Sequence, residues 1–316
     1  MPDVRVTIGA LTLANPVLAA AGTFGYGVEF ASAVRLERLG AVITKTLTRL
    51  PREGNPPPRL VETSAGMLNA VGVQNVGLEA FLRETLPTLG RHRVPVIVSI
   101  LSDAGEELAE MARRLDGADG VAAVELNLSC PNLRHGTPHE RRVRLIAHEP
   151  EAVQAMVAAA RRQTRKPLIA KLSPDVTDLV PVAQAAERAG ADALAIGNTF
   201  VGMSLDPTTR TSRLGTMTGG LSGPAIRPLA VYRVWYTARS VGIPVIGVGG
   251  IVRADDAVEF LLAGASAVAV GTAHFADPRA ALGVLRGLER YLARHRMASL
   301  QALRDALQPP AKGTSP

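Results

Sequence analysis

Ile243-Pro244-Val245-Ile246, then Ala254 to Ala263 at helical spacing, then Ala265-Ser266-Ala267-Val268-Ala269-Val270 decide how this chain folds. Both apolar runs lack polar alternation, which marks strands buried on two faces, and the segment between them has helical periodicity. The same beat spreads outward in both directions. Further strand-like runs are Pro16 to Ala20, Ala41 to Thr44, Val94 to Val98, Val121 to Leu126, Leu168 to Ala170 and Ala191 to Ile196. Helical spacing recurs at Gly105 to Leu115, Glu151 to Thr164 and Val176 to Ala189. Eight apolar strands alternating with helices indicate an α/β protein, a parallel (β/α)8 TIM barrel. A doubly wound open sheet is the rival, and no G-x-G-x-x-G follows the first strand to support it.

A short alternating segment, Val4 to Leu13, reads as an N-terminal hairpin. Three segments are too long for ordinary connections: Leu47 to Gln74 with its Asn55-Pro56-Pro57-Pro58 run, Asn132 to Glu149, and Phe200 to Gly223. All three follow strands, so they rise as long loops from the C-terminal face, where barrel enzymes place their chemistry. Residues 299–316 read as a peripheral short helix and a frayed tail, and 1–316 is expected to be a single domain.

The chain has 316 residues, 47% of them hydrophobic, with a formal charge of +7. A basic balance raises nucleic acid as a partner. Of the 35 basic residues only Lys45, Lys166, Lys171 and Lys312 are lysines, and the arginines are scattered without a basic tail. Aromatics at 3% are too few for base-stacking platforms, so no nucleic-acid partner is expected. The single cysteine, Cys130, excludes an internal disulfide and an iron–sulfur cluster held by this chain alone. The longest charge-free apolar stretch, Phe260 to Ala276, is broken by Gly264 and Gly271 and is shorter than a ~20-residue membrane span. With no secretory signal at Met-Pro-Asp-Val-Arg, a cytoplasmic protein without membrane attachment is expected. The histidines form no ligand set, and no metal site is expected.

The strand ends supply the candidate site. The Gly249-Gly250 pair after strand seven and Gly271-Thr272 after strand eight let backbone amides approach a phosphate. Lys45 and Lys171 both end apolar strands; in a chain that uses Arg almost everywhere, a compact ammonium there is a selected chemistry. Asn69, Asn127, Asn132 and Asn198 each offer a donor and an acceptor, matching a planar ring with alternating C=O and N–H groups. Cys130 lies in the polar stretch Asn127-Leu128-Ser129-Cys130-Pro131-Asn132, where a thiol can serve as general acid or base.

Asn69-Ala70-Val71-Gly72-Val73-Gln74-Asn75, Asn127 to Asn132, Lys171-Leu172-Ser173-Pro174, Gly219 to Ala225 and Gly247-Val248-Gly249-Gly250-Ile251 together resemble class 1 dihydroorotate dehydrogenase, nearest the class 1B catalytic subunit. The resemblance covers nearly the whole chain. It implies bound FMN and oxidation of dihydroorotate to orotate in pyrimidine biosynthesis. Cys130 would be the base that removes the C5 proton while a hydride leaves C6 for the flavin. Lys45, Asn69, Ala70, Val71, Gly72, Val73, Asn127, Asn132, Asn198 and Thr199 match substrate-contacting positions. Ala21, Lys45, Thr46, Ser99, Asn127, Lys171, Gly197, Gly223, Gly249, Gly250, Gly271 and Thr272 match flavin-contacting positions, and the lysine ammonium would steady negative charge on the reduced ring. Ser99 stands where the family usually has Asn, and Ala21 where it often has Ser. The Leu133 to Glu149 loop lacks the usual Phe-Gly stretch and carries Arg141, Arg142 and Arg144, a candidate lid over the substrate carboxylate or a solvated insertion.

The resemblance also implies a homodimer, and a heterotetramer with an iron–sulfur, FAD-containing subunit that hands electrons to NAD+. A dihydrouridine-synthase-like flavoprotein is disfavoured because about 45 residues follow strand eight, too few for an RNA-gripping helical domain. A dihydropyrimidine-dehydrogenase-like reductase is disfavoured because its substrate lacks the carboxylate that Lys45 and the Asn69 to Val73 region are placed to hold.

Overall fold

The structure, a computed structural model, describes residues 2–129 and 146–308. Eight short parallel strands close into a barrel: β1 (Val17–Ala19), β2 (Ala41–Ile43), β3 (Val96–Ile100), β4 (Val121–Asn127), β5 (Leu168–Leu172), β6 (Ala193–Ile196), β7 (Val245–Val248) and β8 (Ala267–Val270). Each pairs with its sequence neighbours, and β8 closes onto β1, as the sequence reading expects.

Prolines set where four of the strands begin. Pro16, Pro95, Pro167 and Pro244 immediately precede β1, β3, β5 and β7. Lacking N–H, each ends the ladder on its own strand while its carbonyl accepts a bond from the preceding strand round the barrel. Those donors are Val268, Val42, Val124 and Leu194, at 2.8–3.0 Å.

Alternate residues face inward, and the registers stack them in layers of four drawn from alternate strands. Ala41, Ala123, Ala193 and Ala267 form a narrow lowest layer. Above it come Leu18, Ile97, Ile169 and Ile246, then Ile43, Glu125, Ala195 and Ala269, then Ala20, Ser99, Lys171 and Val248. Lys45, Asn127, Gly197 and Gly271 follow at the mouth. Small side chains at the bottom leave room for the N-terminal hairpin (Val6–Ile8 with Leu11–Leu13), whose Ile8 and Leu13 are fully buried against that end. The outward residues Val42, Val98, Leu126, Leu168 and Val268 pack under helices that include Gly105–Asp116, Pro150–Arg161, Val180–Arg188, Arg227–Ala238, Ala254–Leu262 and Ala280–Arg294.

Several details differ from the sequence reading. β3, β6, β7 and β8 start about two residues later than their apolar runs, because Pro95 and Pro244 delay two of them and the ladders continue into Ser99, Gly247 and other non-apolar residues. The first connection holds only the 3-10 turns Val28–Phe30 and Leu36–Arg38, since Gly22, Gly25 and Gly27 adopt positive φ of 87°, 51° and 98° and break helical continuity. The segments read as loops at 47–74 and 200–223 pair with each other. Their strands form one antiparallel sheet in the order Phe200–Gly202, Gly219–Ser222, Gly66–Asn69, Leu60–Thr63. The expected short C-terminal helix is present at Leu300–Arg304 and is docked: Leu300 and Leu303 are buried and Arg304 donates to Ser266 Oγ at 2.8 Å. Among the described residues no helix is long and apolar enough to cross a membrane.

Candidate active site

Over the C-terminal mouth of the barrel lies a cavity of about 1060 Å³, counting the space at its open side. Its floor is made by Ala20, Lys171 and Val248, its inner rim by Lys45, Asn127 and Gly271, and its roof by Leu60, Met67, Asn69 and Ser222 of the excursion sheet. Strands β2, β4 and β5 deliver the polar residues because their last inward position falls at the rim, where the hydrophobic interior ends.

A hydrogen-bond chain fixes the polar wall. Asn127 Nδ2 donates to Thr46 Oγ1 at 3.0 Å, and Thr46 Oγ1 lies 2.9 Å from Ser99 Oγ. Ser129 Oγ donates to Asn127 Oδ1 at 3.0 Å and accepts from Asn198 Nδ2 at 2.7 Å. Asn198 Oδ1 in turn accepts the Thr199 amide at 2.8 Å. Four strand ends are thereby locked in one register, and the two amide side chains cannot flip without breaking a buried bond.

Across the cavity, the loop after Asn69 is held in an unusual backbone. Gly72 and Val73 have φ of 73° and 57°, the latter uncommon for a β-branched residue. Asn75 holds this conformation: its Nδ2 donates to Val73 O at 2.8 Å and its Oδ1 accepts the Gly77 amide at 2.8 Å. Val71, Gly72 and Val73 consequently face the cavity.

At the opposite end, Gly249 and Gly250 have φ of 132° and 74°. A Cβ on Gly249 would lie 2.9 Å from Ala230 Cβ, and one on Gly250 would lie 2.7 Å from Arg227 Cβ. The turn is thus pressed against helix Arg227–Ala238. The amides of Gly249, Gly250 and Thr272 have no backbone acceptor among the described residues. Arg227 also pairs with Asp256, whose Oδ2 accepts the amides of Val252 and Arg253 at 2.9 and 2.7 Å, so the turn is braced from below.

These features fit a flavin. Undonated amides on glycines offer a phosphate cradle. Lys171 is 6% exposed and lines the cavity, and its ammonium has no hydrogen bond or ion pair with any described residue. Asn127 and Asn198 present amide edges to a planar ring.

Of the residues singled out from sequence, Ala21, Lys45, Thr46, Asn69, Val71, Gly72, Val73, Asn127, Lys171, Asn198, Thr199, Gly223, Gly249, Gly250, Gly271 and Thr272 line this one cavity. Three others sit just behind it. Ser99 is fully buried and reaches the cavity only through Thr46. Ala70 is turned into a small apolar cluster with Leu68 and Leu214. At Gly197 a Cβ would lie 1.9 Å from Val248 O, so that glycine permits strand contact and lines nothing. Cys130 and Asn132, with Arg141, Arg142 and Arg144, lie outside the described residues. The sequence reading missed Thr23, Leu60, Met67, Ser222, Ile226 and Phe275 on the lining. Thr23 continues the strand-end pattern of Ala21, but Leu60, Met67 and Ser222 depend on the pairing of two excursions far apart in sequence.

A barrel with a glycine phosphate cradle and an amide- and lysine-lined mouth defines a flavoprotein oxidoreductase architecture. The chain belongs to the dihydroorotate dehydrogenase family: the family model described as dihydroorotate dehydrogenase matches residues 3–292. It is 51% identical over 307 residues to a protein of Pelobacter propionicus named dihydroorotate dehydrogenase B (NAD(+)), catalytic subunit, covering 97% of this chain and 99% of the relative. A Geobacter sulfurreducens protein of the same name is 50% identical with the same coverage.

Proposed function

We propose that this protein oxidises dihydroorotate to orotate in pyrimidine biosynthesis, using bound FMN, with Cys130 as the base. The observation that carries this reading is the convergence of Lys45, Asn69, Asn127, Lys171, Asn198 and Thr199 on a cavity ending in the Gly249-Gly250 cradle. The flavin, when bound, supplies the acceptor for the hydride that leaves C6 of the substrate.

The chain's own residues do the rest. Gly223, Gly249, Gly250, Gly271 and Thr272 hold the phosphate end. Thr46, Asn127 and Lys171 set the ring's polar edge, with the ammonium balancing charge that arrives there. Asn69, Asn198, Thr199 and the Val71–Val73 loop orient the substrate ring, with Asn132 completing the amide set and Lys45 facing its carboxylate. Leu60 and Met67 roof the cavity and exclude water. Cys130 would accept the C5 proton as the hydride leaves C6, so neither a free carbanion nor a free hydride has to form.

Electrons leave through a partner subunit that carries an iron–sulfur centre and FAD and delivers them to NAD+, in a heterotetramer built on a homodimer of this chain. The relatives' name, with its NAD(+) and its catalytic subunit, supports this. The single cysteine supports it too, because this chain cannot hold such a cluster alone. The expected location is the cytoplasm.

Anaerobic addition of dihydroorotate to the yellow protein should bleach the flavin, whereas dihydrouracil should not. Bleaching by both, or by neither, overturns the substrate assignment. Cys130→Ala should bleach at least 100-fold more slowly near neutral pH; an unchanged rate removes Cys130 from the role of base.

A further inference from the structure

In the stacked layers of the barrel interior Glu125 is the one carboxylate, and Lys45 and Lys171 are the two cations. Glu125 sits in the layer directly beneath the cavity floor, 1% exposed, beside Ile43, Ala195 and Ala269. The two alanines give the carboxylate space but no donor. Its Oε1 has no hydrogen-bond partner, and it makes no ion pair with any described residue. Ser99, opposite Glu125 on β3, has its hydroxyl engaged with Thr46.

Burying a carboxylate without compensation is costly, by several kcal/mol even after relaxation. The registers bring one cation close to it. Asn127 lies opposite Lys171 and Glu125 opposite Ile169, so Glu125 and Lys171 are diagonal neighbours on the inner face. Strand spacing and rise place such a diagonal at roughly 8 Å between Cα atoms, within reach of a glutamate and a lysine side chain extending towards each other. Lys45 is two layers higher, two residues past the end of β2.

We propose that Glu125 is the counter-charge of Lys171 and, acting through it, sets the reduction potential of the flavin bound over the floor. Glu125 is a positioning residue: it touches neither flavin nor substrate. The inference rests on the reading of the cavity as a flavin site. With the carboxylate beneath it, the field of Lys171 at the cavity is partly cancelled, so negative charge arriving on the ring is stabilised less than by an isolated ammonium. Flavin potential is thereby held lower than the lysine alone would set it.

The test is the midpoint potential of the flavin-loaded protein, measured anaerobically against a reference dye. The wild type is compared with Glu125→Gln, Lys171→Gln and the double variant. Glu125→Gln should raise the ratio of reduced to oxidised flavin at a fixed potential at least tenfold, ~30 mV for a two-electron couple. Lys171→Gln should lower it. In the Lys171→Gln background the Glu125 substitution should lose most of its effect, because a buried carboxylate stripped of its cation is held neutral and leaves no charge to remove. An unchanged potential in Glu125→Gln, or an equal shift with Lys171 absent, overturns the proposal. Glu125→Met, apolar and of similar length, repeats the measurement where the amide disturbs packing. Failure of both neutral variants to fold, or loss of flavin from both in a protein that still unfolds cooperatively, also overturns it, since removing a negative charge below the floor does not weaken an anion's site. A wild-type protein that takes up no flavin fails the functional reading instead.

Discussion

Gly220 sits between Asn69 and Thr199 and lets both reach the cavity. A Cβ at Gly220 would lie 2.0 Å from Thr199 Oγ1, and the Gly220 carbonyl accepts a hydrogen bond from Asn69 Nδ2 at 3.2 Å. One excursion strand therefore positions a residue from β6's end and a residue from the other excursion. Gly220→Ala should push Thr199 out of place and raise KM for dihydroorotate at least tenfold while flavin content stays at the wild-type level. Steady-state kinetics together with the flavin absorbance ratio check it; an unchanged KM means that Thr199 and Asn69 do not orient substrate.

Much of this arrangement was legible in the sequence because it is local to strand ends. Lys45, Asn127, Lys171 and Gly271 end their strands at inward positions, so counting along an apolar run is enough to place them on one face. Ser99 and Gly197 follow the same count, yet one is screened by Thr46 and the other serves a backbone contact of 1.9 Å with Val248, distinctions set by neighbours on other strands. Leu60, Met67 and Ser222 were invisible for a stronger reason. Their sheet joins segments some 150 residues apart, as the Gly220–Asn69 and Ser222–Met67 pairs show, and short Gly-rich strands carry almost no alternation to announce the pairing. Glu125 was passed over because its meaning lies in the lack of a partner, which only packing reveals.

The Thr46 hydroxyl is both acceptor for Asn127 and partner of Ser99. Thr46→Val keeps the shape but strands the Asn127 amide in a buried setting, at a cost of ~1–3 kcal/mol. The expected result is a lower Tm and a flavin dissociation constant raised about tenfold. If flavin affinity and Tm both match the wild type, the chain of hydroxyls and amides does not organise the ring's polar edge.

Gly250 has φ of 74° and its missing Cβ faces Arg227 Cβ at 2.7 Å. Gly250→Ala strains the backbone and prises the turn from its helix. The loss should fall on the phosphate end, so affinity for FMN should drop at least tenfold while affinity for riboflavin, which lacks the phosphate, changes little. Titrating the flavin-free protein with both ligands by fluorescence quenching separates them; equal losses place the phosphate elsewhere.

His274 is 2% exposed, packs against Phe24 with ring centroids 4.6 Å apart and planes tilted by 48°, and has no hydrogen-bond partner on either nitrogen. Burial lowers its pKa from 6.5 to about 4, opposed weakly by the charge of Asp277. The fold holds this imidazole neutral, so between those pH values the unfolded chain binds more protons and stability rises with pH. Its contribution is complete above pH 6.5 and is lost as pH falls towards about 4. The full effect is ~3 kcal/mol at 1.36 kcal/mol per pKa unit. Urea unfolding of the wild type and of His274→Phe, at pH 7 and pH 4.5, isolates the contribution of His274, because every other titrating group is common to both proteins. The wild type should lose ~2–3 kcal/mol more than the variant on acidification. Parallel losses would show that His274 takes up its proton inside the fold, and that the packing around Phe24 admits a charge.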